Sequence, residues 1–234
     1  MEKSELLYEG KAKKVYSTAQ SDIYIIEYKD DATAFNAKKK GTIAKKGVVN
    51  NEMTSIIFEM LEENGIPTHF IRKLDERHQL VKAVKIYPIE VIIRNISAGS
   101  FSERFGIEEG QPLEPNTIEF SYKNDELNDP LMNEYHALAL KLVTKNEIEK
   151  IKEYTFRIND LLKAFFLKSN LKLIDFKIEF GNCNGEVVLA DEISPDTCRI
   201  WDVETNEKMD KDRFRRDLGN VEETYQEVLS RLKR

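Results

Sequence analysis

The apolar positions along the chain alternate between two periods. Residues 22–28, Asp-Ile-Tyr-Ile-Ile-Glu-Tyr, are rich in β-branched and aromatic side chains and predict a strand. The preceding stretch 6–18 predicts two short strands folded about Gly10. Over 50–64 the period becomes helical: Met53, Ile56, Ile57, Met60 and Leu61 recur three and four apart, with Asn50 or Asn51 as cap and Gly65 as stop. Segments 79–86 and 89–94 predict two strands separated by Pro88. Segment 107–130 is polar and holds Pro112, Pro115 and Pro130, which predicts loop with one short strand near Ile118–Tyr122. Thr144 and Glu147 form a capping box ahead of Ile148, Ile151, Ile158, Leu161, Leu162 and Phe165, one face of a long helix. Strands over 171–180 and 186–193 flank Gly-Asn-Cys-Asn-Gly, a hairpin signal. A closing helix from about Asp210 carries Phe214, Leu218, Val221, Tyr225, Val228 and Leu232 as its apolar stripe.

Strands dominate the first third, and a helix-plus-hairpin unit dominates the rest. That is an α+β pattern with mainly antiparallel sheets, not strict β–α alternation. A boundary near residues 81–88 divides a β-rich lobe, 1–83, from an α+β lobe, 84–234. With 41% hydrophobic residues in 234, the chain sustains a core, which excludes wholesale disorder. No apolar run approaches the roughly 20 residues that cross a bilayer, and the first residues lack the apolar block of a signal peptide. Cys183 and Cys198, with no CxxC and three scattered His, make neither a disulfide scaffold nor a zinc module. The expectation is a soluble cytoplasmic protein. A net charge of −6 disfavours coating nucleic acid but says nothing about a local site.

Four segments carry candidate chemistry. In an extended strand Lys11 and Lys13 point to one face beside Gly10, which suits a polyphosphate or, equally, a solvated edge strand. Neither a Walker loop nor a G-x-G-x-x-G motif is present. In the second segment, alternation puts Asp175, Lys177 and Glu179 on one strand face and Phe176, Ile178 and Phe180 on the other. The next strand ends in Asp191-Glu192, so carboxylates from two strands converge either on a hard cation or in a structural charge cluster. Register bears on this choice. If 181–185 is the turn, Asp191 lies opposite Asp175 and Glu179 is about 13 Å further along, so sharing one ion needs a bulge or a slipped loop.

In the third segment, an apolar strand from Glu90 delivers Arg94 at its end, followed by Ser97-Ala98-Gly99-Ser100. Backbone N–H groups, hydroxyls and a guanidinium suit a phosphomonoester, although an ordinary strand-to-turn transition reads the same way. Fourth, Ser194-Pro195-Asp196-Thr197-Cys198-Arg199 is either a plain turn or a loop hanging Asp196 and Arg199 over the site of Asp191. Nothing points to a catalytic thiol, and His69, His78 and His136 read as structural or surface residues. Two anion sites flanking carboxylates, with no nucleophile, suggest phosphoryl transfer from a nucleotide to a second phosphate-bearing substrate.

Several long motifs in one order resemble the SAICAR synthetase (phosphoribosylaminoimidazole-succinocarboxamide synthase) family. They include Pro88-Ile-Glu90-x-x-x-Arg94-x-x-x-Ala98-Gly99-Ser100, Leu173-Ile-Asp175-Phe-Lys177-Ile-Glu179-Phe-Gly181 and Tyr8-x-Gly10-Lys11-Ala12-Lys13-x-Val15-Tyr16. Lys46-Gly47-x-x-Asn50, Asp191-Glu192-x-Ser194-Pro195-Asp196 and Asp210-Lys211-x-x-x-Arg215 extend the match end to end, whereas Lys38–Lys46 departs from the family pattern. The resemblance implies a two-lobed fold related to ATP-grasp and kinase-like enzymes, with ATP in the cleft. It also implies an ATP-dependent ligase joining L-aspartate to the carboxylate of carboxyaminoimidazole ribonucleotide (CAIR).

Carried over, Gly10, Lys11, Ala12, Lys13, Val15, Val81, Lys82, Val84 and Lys123 are the implied ATP contacts, and Glu179 and Asp191 the implied Mg²⁺ ligands. Arg94, Ser100 and Arg199 are the implied 5′-phosphate cradle. Asp196, Lys211 and Arg215 are further CAIR contacts, Asp129 is another contact for nucleotide or aspartate, and Lys177 and Asp175 are the catalytic pair. A homodimer is implied, with neither nucleic acid nor membrane as partner. A kinase-like phosphotransferase would carry an H-R-D loop, which is absent. A nucleotide-sensing module would not depend on aspartate.

Overall fold

The short β-branched runs near the N-terminus pair as antiparallel neighbours. The computed structural model describes residues 2–34 and 39–233. Strands β1 (Leu6–Glu9) and β2 (Lys13–Ser17) fold about Gly10, whose N–H donates to the Lys13 carbonyl at 2.8 Å. β3 (Ile23–Tyr28) follows, then a separate hairpin of β4 (Asp31–Ala34) and β5 (Lys39–Thr42). Helix α1 (Lys46–Glu63) leads to β6 (Phe70–Lys73) and β7 (His78–Lys82), which complete a sheet ordered β1-β2-β3-β7-β6.

Ala83 and Val84 then pass into the long strand β8 (Lys85–Ile96). After it come α2 (Ser100–Phe105), β9 (Pro112–Tyr122), β10 (Leu131–Met132), α3 (Glu134–Ala139) and α4 (Lys145–Lys168). The chain ends with β11 (Leu171–Cys183), β12 (Glu186–Ala190), β13 (Cys198–Asp202), α5 (Asp212–Arg215) and α6 (Val221–Leu232). The second sheet runs β10-β9-β8-β11-β12, and β13 pairs with the first half of β11. Among the described residues no helix is long and apolar enough to cross a membrane.

Three local rules are overridden. α1 starts four residues before Asn50; Asn50 and Asn51 are fully buried within it, and its first turn is capped from outside by Asp30 Oδ1, which accepts the Gly47 N–H at 2.9 Å. Pro88 does not split β8, because it sits where β8 has two extra residues opposite Glu179–Gly181 and owes no ladder hydrogen bond. Pro115 is likewise absorbed in the slip between Arg94↔Thr117 and Ile96↔Pro112, so the strand expected near Ile118–Tyr122 begins six residues earlier, at Pro112. The closing helix is broken: Gly219 (φ +72°) and Asn220 (φ +48°) separate α5 from α6, and Leu218 is exposed. Asn184 and Gly185, with φ of +52° and +91°, turn the β11–β12 hairpin in two residues, so Cys183 faces Glu186.

The capping box at Thr144 forms as expected, with the Glu147 carboxylate accepting the Thr144 N–H at 2.7 Å. Phe176, Ile178 and Phe180 of β11 join Ile151, Ile158, Leu162 and Phe166 of α4 and Met53, Ile57 and Phe58 of α1 in one buried cluster. Each such side chain contributes about 1.5–3 kcal/mol by leaving water. Commitment of this face to the core leaves Asp175, Lys177 and Glu179 on the other face of the strand.

Candidate active site

A cavity of about 1350 Å³ opens between the two sheets. The turn at Gly10, Lys11 and Ala12 lines it, with Lys13 and Val15 of β2 and Val81, Lys82 and Val84 at the passage from β7 to β8. Lys123, Asp129, Lys177, Glu179, Asp191, Asp196 and Lys211 line the opposite side. These expected residues are therefore brought together. Arg94, Ser100, Asp175, Arg199 and Arg215 do not line it. The lysine-rich stretch begins at Lys38, outside the described residues; from it Lys40, Gly41 and Thr42 reach the cavity.

Lys11 and Lys13 are not paired positions of one strand. Lys11 sits in the turn because β2 begins only at Lys13. Its ammonium pairs with Asp125 at 2.6 Å, across from the second sheet, and Lys13 pairs with Asp191 and lies 3.1 Å from Glu192. Burial opposes the charge on Lys13, but Asp191 and Glu192 outweigh it and hold its pKa well above the ordinary value. Asp191 likewise stays below the usual carboxylate range, because Lys13, Lys177 and Lys123 outweigh its burial.

The register differs from the five-residue turn expected over 181–185. With the two-residue turn, Glu179 pairs with Ala190 rather than lying four residues from the level of Asp191. Asp191 then adopts φ +62°, which ends β12 and redirects the chain toward Asp196. Two carboxylates from adjacent strands thus face one cavity. Among the described residues no group of three or more His, Cys, Asp or Glu forms a closed metal cage. Two hard oxygen donors facing an open cavity are a donor set that fits Mg²⁺, which usually takes one or two protein carboxylates and completes its octahedron with other oxygens and water. Lysines compensate these carboxylates: Lys123 bonds Glu179, and Lys177 lies 2.7 Å from Glu90 and 3.0 Å from Glu179. Despite burial, Glu179 and Glu90 raise the Lys177 pKa well above its ordinary value, so it is a fixed cation.

Asp175 lies two residues before Lys177 on the same face of β11, about 7 Å away at strand rise. Arg94 stands before the end of β8 and is only 3% exposed. It donates to Asp175 at 2.7 Å, to Glu119 at 2.9 Å and to Ser100 Oγ at 3.3 Å. Arg199 reaches Asp175 at 2.9 Å and Asp212 at 2.8 Å. A Cβ on Gly99, whose φ is +52°, would collide with the Arg199 guanidinium. The ion-pair chain continues from Glu119 to Arg104, from Asp212 to Arg215 and Arg216, and from Arg216 through Glu109 to Lys208. It closes with six cations against four carboxylates, an excess of two positive charges among the described residues.

Four further participants are given no role by the resemblance, although Lys46 and Glu90 stand in its motifs. Lys46, fully buried, pairs with Asp196 at 2.7 Å, and the Tyr225 hydroxyl donates to Asp196 at 2.8 Å. Lys211 and Lys46 thereby outweigh burial and hold the Asp196 carboxyl below its ordinary range. Glu90 and His69 reach the cavity from β8 and from the residue before β6. Burial, with Lys13 nearby, pushes the His69 imidazole down to about 3, and its Nε2 has no partner. Cys198 is buried, which raises its thiol pKa, in keeping with no catalytic thiol.

Sequence and shape comparisons agree on one relationship. The family model described as SAICAR synthetase matches residues 6–232. The phosphoribosylaminoimidazole-succinocarboxamide synthase of Thermoanaerobacter sp. (strain X514) is 59% identical over 232 residues, 99% of each chain. The crystal structure of that synthase from Ehrlichia chaffeensis superposes with a TM-score of 0.96 at 49% identity, covering 98% of each chain. A type-2 SAICAR synthetase solved in complex with ADP gives 0.94 at 46% identity over 97% of each chain.

Proposed function

The chain belongs to the SAICAR synthetase family and is an ATP-dependent ligase of purine biosynthesis; from that premise we propose how its residues divide the work. One observation carries the assignment: a single cavity is bounded by the 10–13 turn, the 81–84 passage and the carboxylates Glu179 and Asp191. In this reading residues 1–83 and 84–234 are two lobes, and ATP lies between them. Ala12, Val15 and the chain at Val81, Lys82 and Val84 wall the adenine, Lys11 and Lys13 contact the phosphates beside Gly10, and Lys123 is a further ATP contact. Glu179 and Asp191 would hold Mg²⁺, whose charge offsets the negative charge building on the transferring phosphoryl group. Arg94, Ser100 and Arg199 cradle the CAIR 5′-phosphate, where two surplus positive charges match a phosphomonoester dianion. Asp196, held by Lys46 and Tyr225, accepts from the CAIR amine, and Lys211, Arg215 and Asp129 are outer contacts. Cytoplasmic location and a homodimer belong to the same reading.

A carboxylate oxygen of CAIR attacks the terminal phosphorus of ATP, and ADP leaves. The neutral aspartate amine then attacks the acyl carbonyl carbon, the C–O bond to the bridging oxygen breaks, and phosphate departs with that former carboxylate oxygen and the proton lost from nitrogen. Lys177 stays protonated, so it offsets charge beside the reacting carboxylate rather than removing a proton. Asp175 fixes Arg94 and Arg199 at the same face. The test is ADP release from ATP plus CAIR, with and without L-aspartate, using CAIR labelled with ¹⁸O in the carboxylate. Net turnover that requires aspartate and moves label into phosphate is expected. Unlabelled phosphate would exclude the acyl phosphate, and turnover indifferent to aspartate would exclude the ligase assignment.

A further inference from the structure

The loop Gly106-Ile-Glu-Glu-Gly110 touches neither the cavity nor the residues given roles above, yet one of its carboxylates ties three pieces of chain together. Glu109 Oε1 accepts the Gly99 N–H at 2.8 Å. Glu109 Oε2 accepts from Lys208 at 3.1 Å and from Arg216 Nη1 at 3.0 Å, and Arg216 Nη2 pairs with Oε1. The same loop fixes Ser97, whose hydroxyl donates to the Glu108 carbonyl at 2.7 Å and accepts the Gln111 N–H at 2.9 Å. The 97–100 turn is therefore moulded on residues 108–111. Gly99 has no freedom on its other side, where any Cβ meets Arg199. The next residue, Ser100, presents its hydroxyl to Arg94.

We propose that Glu109 is a positioning residue for the phosphate subsite, setting the separation between Ser100 and Arg94 on one side and the Arg216–Asp212–Arg199 chain on the other. This rests on Arg94, Ser100 and Arg199 forming the CAIR phosphate cradle. Arg216 and Lys208 keep the Glu109 carboxyl at about 2, so it is anionic throughout the working range. Arg216 is 36% exposed and Glu109 28% exposed, and partly exposed pairs of this kind contribute little to stability. The effect of removing Glu109 therefore falls on substrate affinity.

The experiment measures kcat, the KM of each substrate and the melting temperature for Glu109→Ala, Glu109→Gln and Arg199→Gln. Glu109→Ala is expected to raise the KM for CAIR about tenfold, as loss of one charge-assisted bond implies, with kcat and the other KM values within about twofold. Glu109→Gln falls between, because its amide oxygen still accepts from Gly99. A raised KM for CAIR in Arg199→Gln alone, with both Glu109 variants normal, overturns the positioning role and leaves the cradle standing. An unchanged KM in Arg199→Gln removes the cradle and the proposal with it. Should Glu109→Ala not fold, Glu109→Gln decides; a uniform loss across all parameters in either variant also overturns it.

Discussion

His69 shows at a single residue how burial sets charge in the cavity wall. The sequence reads it as structural or surface, and of the two it is structural: 4% exposed, its ring packed 5.7 Å from Phe58 on the wall of the cavity. Burial and then Lys13 lower its pKa from 6.5 to about 3. Between these values the unfolded chain binds a proton that the folded chain refuses, so stability rises with pH and is lost as pH falls below 6.5. The slope reaches about 1.4 kcal/mol per pH unit. Replacing His69 by Gln should flatten the urea midpoint between pH 6.5 and 4; a midpoint that still drops as steeply would assign the acid lability elsewhere. The imidazole therefore sits in the cavity wall as a neutral group, beside charges that stay fixed.

At the scale of elements, β11 shows what a sequence reveals and what it withholds. Alternation over Asp175–Phe180 gives the correct buried and chemical faces, because side-chain direction in a strand follows from parity alone. Level along the strand does not: whether the turn takes two residues or five decides if Glu179 meets the end of β12, and Asn184-Gly185 inside Gly-Asn-Cys-Asn-Gly is the signal that settles it. Pro88 and Pro115 misled for the same reason, since a bulge that removes the need for a ladder bond depends on the partner strand. The distributed ion pairs around Asp196 and Glu109 were equally hidden, as their members lie far apart in the chain. Gly181 makes an element-scale test. A Cβ there would stand 2.7 Å from the Lys85 carbonyl oxygen and 3.1 Å from Ile86 Cα, where β11 crosses the start of β8. Gly181→Ala should cost about 1–3 kcal/mol in chemical denaturation and loosen the 83–86 passage that borders the cavity. Wild-type stability would mean the two strands can separate locally without penalty.

Over the whole molecule, a net charge of −6 hides how charge is distributed around the site. Among the described residues the cavity wall is close to balanced, with eight lysines and nine carboxylates, whereas the neighbouring arginine chain carries a surplus of two. The two proposed phosphate sites thus differ in their electrostatics. On the proposed assignment, a phosphomonoester would enter the arginine chain with its charge already matched. A nucleoside triphosphate in the cavity, as proposed, would add several negative charges to a wall whose lysines are engaged, Lys13 by Asp191, Lys123 by Glu179 and Lys11 by Asp125. Those carboxylates must be given another cation before the lysines can turn to phosphate, which is the part Mg²⁺ would take. ATP affinity measured by calorimetry should therefore weaken at least about tenfold, ~1.4 kcal/mol, when divalent cations are chelated, while CAIR affinity stays within about twofold. Asp191→Asn should bind metal-free ATP more tightly than the parent, because it leaves Lys13 paired with Glu192 alone and more able to turn to phosphate, and should weaken the metal dependence. Equal ATP affinity with and without Mg²⁺ in the parent would mean the lysine pairs do not restrain the wall.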